Sequence, residues 1–309
     1  MKKKTTLNVV KNIFKVIVTL GALYWVAQKI DFEQLRDTLS DSNWLFLFLA
    51  LCCYVLSLIT ASSRLNSFFK TIGLKLSEYY NLKLYSLGLI YNFFLPGGVG
   101  GDAYKVYFLK KKYSFSGRSL LSAVFFDRLS GLWAMAIVSC TLVVFMPRLA
   151  IPNTVTITAA AVGSISYLYI LYLFFRPFAQ RFMQTHFKAL MVQGFQVLSA
   201  ICILYALGHD EKFSPYLLIF LVSSIVAIIP SIGGAIGIRE AFAATAAKYI
   251  QIDDQLAITV SLIFYVISLV SSLPGIYFIF KPSSLGEDRL PSAAEVEKEI
   301  DKETLEENA

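Results

Sequence analysis

Asn92-Phe93-Phe94-Leu95-Pro96-Gly97-Gly98-Val99-Gly100-Gly101-Asp102-Ala103-Tyr104-Lys105 breaks an apolar region, 82–109, that is otherwise hydrophobic enough to enter a membrane. Basic residues flank that region on both sides: Lys70, Lys75 and Lys83 before the break, Lys110, Lys111, Lys112 and Arg118 after it. Lysine and arginine collect in cytoplasmic loops, so the segment starts and ends on the same face of the membrane. Residues 84–108 number 25, too few for two crossings at about 20 residues each. A re-entrant hairpin satisfies both constraints, with the proline-glycine break at its tip.

The same pattern returns later in the chain. Region 214–250 is broken at Ile229-Pro230-Ser231-Ile232-Gly233-Gly234-Ala235-Ile236-Gly237-Ile238-Arg239-Glu240. Each copy is an apolar half-helix, a proline, a glycine-rich break, and a charged pair opening a second half-helix. The spacings differ, six residues from Pro96 to Asp102 and ten from Pro230 to Glu240, so the likeness is one of pattern. Paired broken segments in the two halves of a membrane protein indicate an inverted repeat with a site between them.

Around the hairpins, hydropathy gives six long helices over 10–29, 43–63, 119–146, 153–175, 188–207 and 255–280. Loop charges thread them without conflict. Lys2, Lys3 and Lys4 hold the amino terminus in the cytoplasm, and the acidic loop 30–42 falls outside. His209-Asp210-Glu211-Lys212 and Asp253-Asp254 bound the second hairpin on the outside, opposite to the first. The first apolar run leads into Gln28-Lys29-Ile30-Asp31 without a small-x-small site, so it is expected to stay as a helix rather than be cleaved as a signal. The expected fold is an all-α polytopic membrane protein. Residues 1–280 form the membrane domain, 281–309 an acidic cytoplasmic tail.

Composition agrees. The 309 residues are 56% hydrophobic and 16% charged with a mean hydropathy of +0.62, against about 25% charged in an average soluble domain. Aromatics reach 15%, with 25 Phe and 17 Tyr. Of 28 Lys and Arg and 21 Asp and Glu, four and nine fall in 281–309, which leaves 24 basic and 12 acidic side chains before it and a net +12 there. In a membrane protein that excess reports orientation and contact with anionic headgroups, not nucleic acid. Cys52, Cys53, Cys140 and Cys202 sit in apolar runs without metal-ligand spacing, so neither a disulfide nor a metal site is expected.

Chemistry follows from the breaks. Backbone N–H groups left without helical partners are costly in hydrocarbon, so the tips face protein or a water-filled cavity. Half-helix amino termini attract phosphate or carboxylate through those N–H groups and the positive end of the helix dipole. Asn92, Gly97, Gly98, Gly100 and Gly101 build the first tip, Gly233, Gly234 and Gly237 the second. Asp102, Lys105, Asp127, Arg128, Arg239 and Glu240 are ionisable residues at membrane depth, where a charge is either paired or lining a pathway. Two readings stay open for them: Asp127 and Arg128 neutralise hairpin partners such as Lys105 and Glu240, or Lys105, Arg128 and Arg239 bind a lipid phosphate. Glycines that serve only close helix packing are the plainer alternative for the breaks. Arg64 reads as a cation snorkelling to the interface, His186 and His209 as loop histidines, and the tyrosines of the first hairpin as an interfacial belt. Residues 176–188 read as an amphipathic segment on anionic lipid.

The ordered set formed by Asn92–Asp102, Phe126-Asp127-Arg128 and Pro230–Glu240 resembles the signature of the lysylphosphatidylglycerol synthase transmembrane-region proteins. These are the flippase-like membrane domain of the multiple-peptide-resistance factor. The resemblance covers most of residues 10–280. It implies a bacterial or archaeal plasma-membrane protein that moves or binds lipids. In fused members a cytoplasmic acetyltransferase-like domain makes the aminoacyl lipid; only 29 residues follow position 280 here, so synthase activity is not implied. The leading expectation is a flippase-like transporter, not an enzyme, handling a phospholipid or isoprenoid-linked phosphate. Its partners are anionic or phosphate-bearing membrane lipids, with a homo-oligomer or a lipid-modifying enzyme left open, and no cofactor. The alternatives are an accessory lipid-binding subunit of a lipid-modifying or glycosyl-transfer enzyme, and a membrane enzyme using Asp102, Asp127 and Glu240 on a lipid phosphate. No G-x-x-x-x-G-K-[ST] phosphate loop occurs in the sequence.

Overall fold

Helix caps and helix lengths organise the chain. A computed structural model describes residues 40–94, 100–146, 149, 151–226 and 238–286. The helix expected over 10–29, the two tips (95–99 and 227–237) and the tail beyond 286 lie outside the described residues. Those described form helices α1 Trp44–Thr71, α2 Glu78–Phe94, α3 Gly100–Tyr113, α4 Gly117–Val144, α5 Asn153–Phe174, α6 Arg176–Gln180, α7 Phe182–Ala206, α8 Phe213–Val226, α9 Ile238–Ile250, α10 Asp254–Ser272 and α11 Pro274–Phe280, and no strand. Five are long and apolar enough to cross a membrane: α1, α4, α5, α7, and α10 taken together with α11.

Local chemistry sets the ends. Asn43 caps α1 by accepting the Leu45 N–H at 3.0 Å, and Asp253 caps α10 by accepting from Gln255 and Leu256. At the other end of α1, Gly73 takes φ +90 while Leu74 N–H returns to Phe69 O at 3.0 Å, the glycine-closed ending of a helix. Pro274 has no N–H and follows a break at Leu273, so the expected 255–280 helix is two helices. Gly275 then lets α11 press on α2: a Cβ there would lie 2.2 Å from Ser86 O.

The helices beside the two breaks are short. α2 and α3 have 17 and 14 residues, α8 and α9 14 and 13. At 1.5 Å per residue each is roughly 20–25 Å, short of the ~30 Å hydrocarbon core. Each short helix packs on its sequence neighbour instead, α2 on α3 and α8 on α9. The first pair is drawn together at Gly101, where a Cβ would sit 1.8 Å from Gly88 O.

Two apolar cores result. One joins the first half of α1 (Ala50, Tyr54), the last half of α7 (Ala200, Ile203, Leu204), α8, α9 and α10. The other joins the second half of α1 (Leu65, Phe68, Phe69), α2, α3, the first half of α4, Phe178 and Ile279. α1 and α7 lie antiparallel between them. Asn43 N–H donates to Ala206 O at 2.9 Å, Ser199 Oγ to Ala50 O at 2.9 Å, and Lys188 Nζ to Ser63 Oγ and Ser67 Oγ at 2.9 Å each. α5 stands apart, with only Thr156 and Leu171 buried along its 22 residues.

Candidate functional site

Consecutive residues on a helix project about 100° apart, and α4 uses this at Asp127 and Arg128. Both lie about 16 Å from the start of α4, near the middle of a helix of 28 residues. Asp127 faces α1 and takes Arg64 in a bidentate pair, Nε to Oδ1 at 2.8 Å and Nη2 to Oδ2 at 3.1 Å. The side chains are only 8% and 10% exposed. Gly131, one turn on, makes room: a Cβ there would lie 3.1 Å from Arg64 Nη1.

Arg128 faces the other way, toward the start of α3. Its Nε donates to Asp102 Oδ2, and Lys105 Nζ donates to Asp102 Oδ1 at 2.6 Å. Lys105 is buried, with its ammonium 4.8 Å from the Tyr85 ring centroid. Asn92 reaches across the break from α2, and its Oδ1 accepts the Gly101 N–H at 2.9 Å. It therefore caps the amino terminus of α3. Asp102, in the first turn of α3, adds negative charge at the positive end of that helix. Among the described residues the cations are Arg64, Lys105 and Arg128 and the carboxylates Asp102 and Asp127; Arg128 is the most accessible cation, its side chain 40% exposed.

Arg239 belongs to a separate cluster. It lies in the first turn of α9 and is buried. Its Nη2 donates to Ser224 Oγ at 3.1 Å, and its guanidinium lies 5.5 Å from the ring centroids of both Phe220 and Phe264. Tyr54, edge-on to Phe264 at 5.1 Å, donates to Ser268 Oγ at 2.8 Å. Tyr54 shares the core of Phe220 and Phe264, whereas Tyr85 lies beside Lys105 in the other cluster. Glu240 lies in the first turn of α9; Gly97, Gly98, Gly233, Gly234 and Gly237 lie outside the described residues.

Residues 12–189 and 186–275 match the family model described as the lysylphosphatidylglycerol synthase TM region. The chain belongs to the lysylphosphatidylglycerol synthase TM region family. It is also similar to the UPF0104 membrane protein PH1989 of Pyrococcus horikoshii, 23% identical over 327 residues covering 88% of this chain and 96% of that one. The family assignment covers both broken regions and the Asp127-Arg128 pair, and it makes the chain a membrane protein with several apolar spans.

Within this family member several residues differ from their sequence reading. Arg64 is a buried partner of Asp127 rather than an interfacial anchor, because α1 continues to Thr71, eight residues beyond the expected end at 63. The available signal was a helical stripe of small and polar residues, Ser57, Ala61 and Arg64, pointing inward together. His186 is buried on α7, stacked on Phe182 at 3.8 Å and 3.0 Å from the Tyr167 hydroxyl, not in a loop. Residues 176–188 split into α6 and the start of α7, and Phe178 inserts against Phe126 at 4.5 Å. Tyr104 is fully buried, stacked on Tyr91 at 4.3 Å, while Tyr79 is exposed as expected of a belt residue. Among the described residues no three His, Cys, Asp or Glu side chains come together as metal ligands.

Proposed function

We propose that this protein is a flippase-like lipid transporter, moving a phosphate-bearing headgroup through a polar cavity while the lipid's chains stay in the bilayer. The observation that carries the reading is Arg128: a guanidinium 40% exposed near mid-span, tied to Asp102 at the start of α3. Hydrocarbon does not solvate such a group, so the space before it holds water or a polar headgroup. Arg128 and the start of α3 take the phosphate. Asp102 and Lys105 hold Arg128 in place, and Asp127 with Arg64 fixes the opposite face of α4. The activity moves lipid and makes or breaks no bond.

The architecture of the reading is six spans with α2–α3 and α8–α9 as re-entrant hairpins, in the plasma membrane with both termini cytoplasmic. Three features support it. The four hairpin helices are each too short to cross. The two pairs join different cores, at opposite ends of α1. Lys70, Lys75, Lys83, Lys110, Lys111, Lys112, Arg118, Arg176 and Arg181 crowd the end that holds α2–α3, the cytoplasmic end by the positive-inside rule. An inverted repeat relates α1, α2, α3 and α4 to α7, α8, α9 and α10, with antiparallel α1 and α7 at its centre.

The test is translocation of fluorescent lipids in vesicles containing the purified protein. The expected result is protein-dependent loss of leaflet asymmetry for a phosphate-bearing lipid, slowed roughly ten- to hundredfold by Arg128→Ala, the effect of losing a charge-assisted hydrogen bond of about 1.5–3 kcal/mol. No movement of any lipid by folded protein would overturn the reading and favour an accessory lipid-binding role.

A further inference from the structure

α5 carries a second lipid-facing feature, formed without Arg128 or its partners and independent of the transport reading. Ile165, Leu168, Tyr169 and Tyr172 follow the i, i+3, i+4, i+7 spacing of one helix face, and they are 67%, 40%, 61% and 57% exposed. Leu171, beside that stripe, is 1% exposed and holds α5 to the body. At Phe175 the backbone leaves helical geometry (φ −134, ψ 46), and α6 restarts at Arg176-Pro177 in a new direction. The bend closes the stripe into a groove of about 500 Å³, with Ala179 and Gln180 of α6 as the far wall and Arg176 at its end. The Arg176 guanidinium sits 5.8 Å from the Tyr172 ring centroid. From Ile165 to Tyr172 the apolar lining runs about 10 Å along α5, about a third of the ~30 Å hydrocarbon core.

We infer that this groove binds an anionic phospholipid: one acyl chain lies along Ile165–Tyr172, and the headgroup phosphate meets Arg176 and Gln180. The lining holds one charge, a cation, and no carboxylate. The apolar part takes roughly the headgroup-proximal two thirds of an acyl chain in one leaflet, and the cation stands at its end, where a headgroup begins. Arg176 and Arg181 lie at the same end as Arg118, the end whose basic residues mark the leaflet richest in anionic lipid. The bound lipid is resident, so its occupancy does not depend on movement through the Arg128 site.

The experiment uses the full chain in phosphatidylcholine vesicles doped with phosphatidylglycerol or phosphatidylcholine carrying a photoreactive acyl chain, with labelled peptides read by mass spectrometry. Phosphatidylglycerol is expected to label residues 165–172 about fivefold more than phosphatidylcholine, the equivalent of about 1 kcal/mol for one interfacial cation. Arg176→Gln is expected to erase that preference, Leu168→Trp to lower labelling by both lipids, and Arg128→Ala to change neither. Equal labelling by the two lipids in the unaltered protein, or a preference that survives Arg176→Gln in protein that still elutes as folded, would reduce the groove to ordinary lipid contact and overturn the inference.

Discussion

Asp127 and Arg128 are neighbours in sequence with separate parts to play. Asp127 is spent on Arg64 in a buried, bidentate pair, and Arg128 stays accessible beside Asp102. Breaking a buried pair strands a charge, at a cost of about 3–5 kcal/mol, whereas an exposed pair is worth about 0–1 kcal/mol. Arg64→Met or Asp127→Leu alone is therefore expected to lower stability by about 3–5 kcal/mol, and the double variant by less than either single change. Unfolding in detergent, read as a double-mutant cycle, checks this; additive losses under 1 kcal/mol would instead fit an interfacial Arg64. At this scale the sequence exposed Asp127 and Arg128 as anomalies, since a charged pair midway along an apolar helix needs an explanation. It hid their partners. Arg64 looked like a helix end because hydropathy counts its charge without seeing the carboxylate that neutralises it 63 positions away.

Between the residue and the whole stand the short paired helices. α2 and α3 approach so closely at Gly88 and Gly101 that a methyl group has no place on Gly101. Gly101→Ala is expected to destabilise the pair by about 1–3 kcal/mol or more, the usual cost of overpacking, and to loosen the Asn92 cap beside it. Gly163→Ala on α5 meets nothing within 4 Å; it is expected to be neutral or stabilising by up to about 1 kcal/mol. Thermal unfolding of the two variants separates a glycine required for contact from one that is not. The paired short helices were legible from composition, because Pro and Gly stop helices for local steric reasons. The close seat of Gly275 on α2, the extra turns of α1 and the inward turn of Phe178 were not, since each is decided by a neighbour distant in sequence: Ser86, Asp127 and Phe126.

Across the whole molecule, two apolar cores sit at opposite ends of an antiparallel α1–α7 pair, each closed by one pair of short helices. Arg239 with its phenylalanines lies in one, beside Tyr54, and Asp102 with its cations lies beside the other, next to Tyr85. On the proposed account, rocking of one half against the other opens this polar interior to each face in turn. The account stands on Arg128 facing water rather than hydrocarbon. The direct measurement replaces Cys52, Cys53, Cys140 and Cys202 with serine, introduces Arg128→Cys or Ile165→Cys, and adds a membrane-impermeant thiol reagent to the protein in vesicles. Ile165 is the matched control, exposed and near the middle of α5. The account predicts that the cysteine at position 128 reacts and the one at 165 does not. Failure of both to react, in protein that is folded and labels fully in detergent, would put Arg128 against lipid tails and contradict the polar pathway.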